Sequence, residues 1–331
     1  NTSHLVKVGI DFYLNEKNTL SFYTTQNVFA SDGFGTTAVN FLDPVNDGRD
    51  ITQSFENETD SHTQTYNFDY KLDFGKEGQN IELEVNHNMT DAPEDAIFDY
   101  LYPSNTPLNF NRVDDVENER QNTIVNLDYV NPLSETAKLE IGLESRIQTT
   151  ENDFISTIIN SGGTSQTNSS FKYDRNIYSA YVTYSKQWEK FSAQIGARVE
   201  QYDVDATFQG YDDVVGGNVT TNFEDDIFTV YPSAFFTYNA SEKNSFNLSY
   251  SRRVDRPGIQ QVNPIREWST PQIDSKGNPN LNPQFTNSFE INYTRRMKIG
   301  SVTLGTFYRK INDEITRVVN DHPTDDDRLI L

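Results

Sequence analysis

The residues best equipped for chemistry lie between Arg252 and Trp268. Arg252 and Arg253 stand side by side where a strand-like run ends, and Arg256 follows just before Pro257 and Gly258. A guanidinium grips a carboxylate or phosphate through parallel N–H donors, so this group can receive an anionic part of a ligand. The same three can instead pair with acidic neighbours such as Asp255, in a chain with 49 Asp and Glu against 27 Lys and Arg. Trp268, preceded by Arg266 and Glu267, can stack on a sugar or an aromatic solute, or pack its own loop. Acidic groups at Asp47/Asp50, Asp114/Asp115, Asp212/Asp213 and Glu224/Asp225/Asp226 offer oxygen ligands to Ca²⁺. None has EF-hand spacing, and solvated loop charge explains them as well. The four His (His4, His62, His87 and His322) are scattered, with no metal-ligand spacing and no Ser–His–Asp set. The absence of Cys excludes disulfides, thiolate nucleophiles and Cys-based zinc sites. Neither an enzyme, a metal site nor a cofactor is therefore expected. A net charge of −22 leaves no basic stripe for nucleic acid.

The elements that must position these groups are strands. Aromatics make up 13% of the 331 residues, with 22 Phe and 18 Tyr, a bias suited to pleated surfaces. Alternation is clearest at Tyr66, Phe68, Tyr70, Leu72 and Phe74 against Asn67, Asp69, Lys71 and Asp73. Similar runs start at Val6, Leu20, Ile81, Val125, Leu139, Tyr178, Phe191, Phe228, Phe246, Phe289 and Val302. In the run from Phe191 to Val199 the apolar residues are odd-numbered, but Tyr202, Val204, Ala206 and Phe208 are even. This slip predicts either a bulge near Glu200 and Gln201 or a strand leaving its apolar surroundings there.

About twelve strands of roughly ten residues result, an all-β antiparallel up-and-down meander without a convincing helical period. Tight turns, as at Asn15–Asn18, Gly75–Gly78 and Asn131–Ser134, alternate with polar stretches expected to be long loops. These run from about Ala30 to Ser61, Asp91 to Asn118, Ile147 to Tyr178, and Gln209 to Asp226. All long connections then gather at one end. The row Lys138, Glu140, Glu144 and Arg146 faces away from Leu139, Ile141 and Leu143. A wet lumen has a use for such a row, and a closed barrel satisfies its backbone within hydrocarbon. Phe12, Phe74, Tyr129, Tyr184 and Tyr238 are placed to form interfacial girdles. The outward partner is then outer-membrane lipid. A soluble two-sheet, adhesin-like binding module is the alternative.

The stretch from Phe246 to Arg296 carries a resemblance. Tyr250-Ser251-Arg252-Arg253, Asp255-Arg256-Pro257, Asn263-Pro264, Gly277-Asn278-Pro279-Asn280-Leu281-Asn282-Pro283 and Asn287-Ser288-Phe289-Glu290 follow in order. This wording resembles the outer-membrane β-barrel family related to TonB-dependent receptors of Gram-negative bacteria, with Gln284 where that family commonly has Glu. The resemblance implies a transmembrane barrel of twenty-two strands, of which residues 1–331 form one incomplete domain. It also implies import of an extracellular small solute, glycan or peptide, driven by a TonB-type energising protein through a plug domain that this chain does not show. A smaller, plug-less outer-membrane pore and a barrel-wall hydrolase are the other readings of such a wall. In the motif, Pro257, Asn263, Pro264, Gly277, Asn278, Pro279, Leu281, Pro283, Phe289 and Glu290 are expected to set backbone geometry, and Arg252, Arg253, Arg256 and Trp268 to meet ligand.

Overall fold

A computed structural model describes residues 1–41, 50–212, 215–270, 272–322 and 325–330, apart from the side chains of 267–269 and 322–328. The wall opens with three strands, β1 (Thr2–Asn15), β2 (Asn18–Val39) and β3 (Ile51–Asp73). Next come β4 (Asn80–Asp91) and β5 (Glu94–Leu101), which share one place in the sheet, both pairing with β3 and with β6 (Phe110–Ser134). Pro93, between them, lacks the N–H that would continue the ladder. The wall goes on through β7 (Ala137–Asn160), β8 (Gly163–Gln187), β9 (Phe191–Asp212), β10 (Gly217–Ser241) and β11 (Asn244–Asp255). It ends with β14 (Gln284–Met297) and β15 (Gly300–Asn312). The result is a single 13-stranded antiparallel sheet in meander order, with β1 and β15 at its edges.

Between β11 and β14 lie a helical turn, α1 (Ile259–Val262), and two short strands, β12 (Glu267–Thr270) and β13 (Ile273–Ser275). The last two join β16 (Asn320–His322) and β17 (Asp325–Ile330) in a small four-stranded sheet.

The strands are longer than the apolar alternation suggests: β6, β8 and β10 each run 25 residues. Most of the expected long loops are hairpin instead. Ala30 pairs with Asp60, and the ladder continues to Val39 opposite Ile51. Likewise β7 and β8 stay in register up to Asn160 opposite Gly163, so a tight turn replaces a thirty-residue loop. The ladder of β9 and β10 reaches Asp212 opposite Gly217. These extensions are mostly polar outward and carry only scattered apolar residues inward, such as Phe154, Phe171 and Phe208, so backbone hydrogen bonds extend the ladders where hydrophobic alternation is weak. The expected turn at Asn131–Ser134 is also strand, with a register irregularity between Pro132 and Ser134. Asp43, Pro44, Asp47, Gly48 and Asp213 lie outside the described residues.

The outward face carries an apolar band beside the tight turns. In register across five strands run Phe191, Tyr238, Phe246, Tyr293 and Leu304, then Ala193, Phe236, Leu248, Ile291 and Thr306. Aromatic neighbours stack along the first row, with ring centroids 4.7 Å apart for Phe191 and Tyr238 and 4.9 Å for Phe246 and Tyr293. Phe191, Tyr238, Phe246, Leu304, Phe236, Leu248 and Ile291 are exposed although apolar, as lipid contact requires. From Phe191 to Val199 the band spans about 20–25 Å, and thirteen further residues of β9 rise about 40 Å along the strand.

No bulge interrupts β9 at Glu200 and Gln201, since its ladders with β8 and β10 are continuous there. The second expectation holds: the strand leaves its apolar surroundings. Above Val199 the outward face turns acidic, with Asp203 and Asp205, and the apolar residues switch inward to Tyr202, Val204, Ala206 and Phe208. There they meet a true core. Phe171, Tyr173, Ala206 and Phe208 of the wall pack with Val262 and Ile265 from the segment between β11 and β14. That segment folds into the concavity of the wall and is termed the strap.

Candidate functional site

The strap explains most of the motif. Pro257, Val262, Pro264, Ile265 and Pro283 are buried. Asn263 sits at the crossing point. Its Oδ1 accepts the Ile265 N–H at 3.0 Å, and its Nδ2 donates to Asn152 Oδ1 of the wall at 3.2 Å. The backbone of Gly277 and Asn278 returns over the helical turn, with Gly277 N–H donating to Asn263 O at 2.8 Å and Asn278 N–H to Gln261 O at 2.7 Å. A Cβ on Gly277 would lie 2.5 Å from that oxygen, so only glycine allows the approach. Asn278 Oδ1 then accepts the Asn280 N–H at 3.0 Å, and Leu281 N–H donates to Asn278 O at 3.2 Å, closing the turn that contains Pro279. Phe289 pairs with Tyr250 and Tyr308 in the wall, and Glu290 forms a 3.5 Å ion pair with Arg309.

The three arginines of the motif are not brought together. Arg256 forms an ion pair with Glu200, fifty-six residues away, and not with Asp255. Its guanidinium lies 5.1 Å over the Tyr202 ring, and Tyr231 Oη accepts a hydrogen bond from it at 3.4 Å. Arg252 lies 4.9 Å over the Phe285 ring. Arg253 is exposed, shares the parity of the inward residues Asn247, Ser249 and Ser251, and forms no ion pair among the described residues. The side chain of Trp268 lies outside the described residues, while its backbone pairs with Asp274 in the small sheet.

From Arg256 a ladder of charge crosses the inner face. Glu200 also binds Arg198 Nε at 2.6 Å, Arg198 reaches Glu144 at 2.5 Å, and Glu144 holds Arg146 at 2.7 Å. Acid and base alternate, so the nearly buried carboxylates of Glu200 and Glu144 each meet two guanidinium groups. The inward row Lys138, Glu140, Glu144 and Arg146 is thus partly an internal ion network, with Lys138 and Glu140 paired at 2.8 Å.

Beside the strap lies a chamber of about 490 Å³ between the wall and α1. Its lining combines Asn118, Asn152, Gln260 and Asn263 with Thr90, Thr150, Phe98 and Phe154. Arg120 enters it exposed and without an ion pair among the described residues. Arg112 forms part of the floor. Only 2% exposed, it is held by Asp114 through Nε at 2.7 Å and lies 5.4 Å over Phe98 and 5.8 Å over Phe154. Ser156 Oγ donates to Asp114 at 2.7 Å and accepts from Arg112 at 3.0 Å. Nearby Tyr100 is buried under Phe110, its ring stacked at 4.2 Å, and burial pushes its phenol up to about 12. Asp114 is therefore a structural partner, and Asp115 takes the opposite face of the strand. Among the described residues no cluster of three or more acidic, His or Cys side chains is arranged to hold a metal ion.

Sequence reasoning missed Arg112, Arg120, Asn152 and Glu200. The available signal was parity: Arg112 and Asp114, two apart on a strand, must share a face. Nothing local told that Glu200 would await Arg256.

The Outer membrane protein beta-barrel family matches residues 72–330. No curated protein matches the chain by sequence. Among solved structures, the closed form of the ferric-catecholate import receptor Fiu from E. coli K12 is 12% identical with a TM-score of 0.49, covering 97% of this chain and 59% of the receptor. The ferric yersiniabactin uptake receptor FyuA from Yersinia pestis is 10% identical with a TM-score of 0.48, over 94% of this chain and 53% of that one. The Serratia marcescens hemophore receptor HasR, in complex with HasA and heme, is 11% identical with a TM-score of 0.49, over 97% and 53%. The chain spans between about half and three-fifths of the length of these receptors. Motif, meander, apolar outer band and a family match over most of the chain agree: this chain belongs to the Outer membrane protein beta-barrel family.

Proposed function

We propose that the chain is the barrel wall of an outer-membrane receptor that captures an extracellular solute in the strap-side chamber and passes it inward with energy from a TonB-type partner. The observation that carries this reading is the chamber: a polar, lumen-facing recess of about 490 Å³ at the end away from the tight turns, bounded by a strap packed on the wall. Four carboxamides, two threonines and two aromatic rings, with Glu94 and Glu119 also in the lining, suit a hydroxyl-rich solute of glycan type. Amides pair with hydroxyls in both directions, and rings cover apolar sugar faces. Arg120, in the chamber and without an ion pair among the described residues, is proposed to orient it; Arg253, on the inward side of β11, remains a candidate for ligand outside this chamber. Arg252 and Arg256 are proposed to support the strap instead, and Trp268 remains a stacking candidate.

Binding and uptake by the full-length receptor test this. Replacing Arg120 or Asn152 with Ala is expected to weaken oligosaccharide binding about tenfold each without loss of the protein from the outer membrane, the scale of one or two polar contacts. Uptake is expected to stop when the energising partner is deleted, with surface binding retained. Uptake that continues unchanged without that partner would favour a passive pore.

A further inference from the structure

The outward face has a concave place near the tight turns. A groove of about 710 Å³ lies over the tight-turn ends of β9, β10, β11 and β14, lined by Trp188, Phe191, Ala193, Phe236, Phe246 and Leu248. Its depth has a simple origin: Ala193 lies in register with Phe236 and beside Phe191, so a small side chain sits among large ones. Below the groove the charge of the chain reverses. Against a total of −22, the three turns at 186–190, 241–244 and 295–300 hold six Lys or Arg and two Glu. Backbone hydrogen bonds draw these turns into one row, with Asn239 N–H donating to Lys190 O at 2.8 Å and Arg296 N–H to Lys243 O at 2.7 Å. Lys190, Lys243, Arg295, Arg296 and Lys298 are all exposed and form no ion pair among the described residues.

We propose that this face is a binding surface for an anionic phospholipid, with its acyl chains in the groove and its phosphate against Lys190, Lys243 and Arg296. Two independent features select that partner. Exposed rings and aliphatic side chains, with only Ser192, Thr237 and Asn247 as polar neighbours, take hydrocarbon, and cations one turn below them that form no ion pair among the described residues take a headgroup phosphate. The acidic residues lie elsewhere, chiefly on the strand extensions beyond the apolar band. There Asp174 faces Asp205, which faces Glu224, and Asp203 faces Asp226. An anionic headgroup is therefore steered to the tight-turn end and repelled from the other.

The test uses the full-length protein, reconstituted in vesicles of equal parts phosphatidylglycerol and phosphatidylcholine, then released in mild detergent with its retained lipid counted by mass spectrometry. Phosphatidylglycerol is expected to be enriched at least about fivefold, the effect of one engaged cation near an anionic headgroup. Enrichment should vanish in K190Q/K243Q/R296Q and fall in A193W, which fills the groove and leaves charge alone. It should persist in K17Q/K76Q, which removes two cations from other tight turns. Equal retention of both lipids by the unaltered protein overturns the proposal, as does equal loss in the two charge variants. Displacement of the lipid by inorganic phosphate, with A193W having no effect, would also overturn it by reducing the surface to a phosphate site. Heat-modifiable migration on gels verifies that each variant is a folded barrel.

Discussion

Gly277→Ala separates the strap from the wall in a way that can be calculated. The new Cβ would lie 2.5 Å from Asn263 O, 2.7 Å from Asn263 N and 2.9 Å from Gln261 C, all backbone atoms. Ordinary contact begins near 3.4 Å, so the two segments must part by about 1 Å. Hydrogen bonds of 2.8 Å and 2.7 Å then pass beyond useful length. Two such bonds contribute about 1 kcal/mol each, and forced overpacking costs about 1–3 kcal/mol. A local loss of about 3 kcal/mol follows, which speeds exchange of the strap amides by about a hundredfold wherever exchange proceeds through strap opening. Hydrogen exchange followed by mass spectrometry reads this directly. Peptides covering 257–283 should exchange faster while those from β8 and β9 keep their protection. Unchanged protection at Asn263, Gly277 and Asn278 would refute the packing argument. Equal acceleration in β8 and β9 would refute the independence of strap and wall.

Other perturbations probe the inner face. Glu200→Gln removes the carboxylate shared by Arg198 and Arg256 and should cost about 3 kcal/mol, visible as faster tryptic cleavage within the strap at Arg266 and Lys276. Arg112→Ala leaves Asp114 and Ser156 without their cation in a closed site and should lower the urea midpoint of the outer hairpins by a similar energy. Tyr100 gives a pH dependence. Its folded pKa lies above the ordinary value near 10, so its contribution is complete below about pH 10 and is lost as pH rises toward about 12. Tyr100→Phe should flatten that alkaline loss in a denaturation series, and an unchanged slope would place its cause elsewhere.

The wall was legible because lipid-facing strands must alternate, and every apolar run in the sequence became a wall strand. The outer half was hidden for the same reason. Between Ala30 and Asp60, or Gln148 and Asn176, apolar residues such as Phe34, Phe55, Phe154 and Phe171 are too scattered among Thr, Asn and Asp to alternate, so a paired strand and a loop look alike in sequence. The parity slip at Val199 and Tyr202 was visible and correctly signalled a change of surroundings. Only the structure could show that the new surroundings are the strap. The motif announced rigid backbone through Asn-Pro and Gly-Asn-Pro, and Gly277 and Asn263 show what that rigidity holds. Arg256 illustrates the limit: its nearest acid in sequence is Asp255, yet a partner fifty-six residues away completes it.

The strap has one more consequence. Its two ends are neighbours in the wall, since Asp255 pairs with Gln284 and the ladder runs unbroken from there to Asn244 opposite Arg295. Everything between those residues is an insertion at the tip of an ordinary hairpin. It behaves as a cassette: a short Asn-Gly turn could replace it without disturbing the strands on either side, because neither ladder borrows a residue from it. Within this architecture the contents of the lumen can therefore be exchanged by changing one hairpin tip while the membrane-facing shell stays the same.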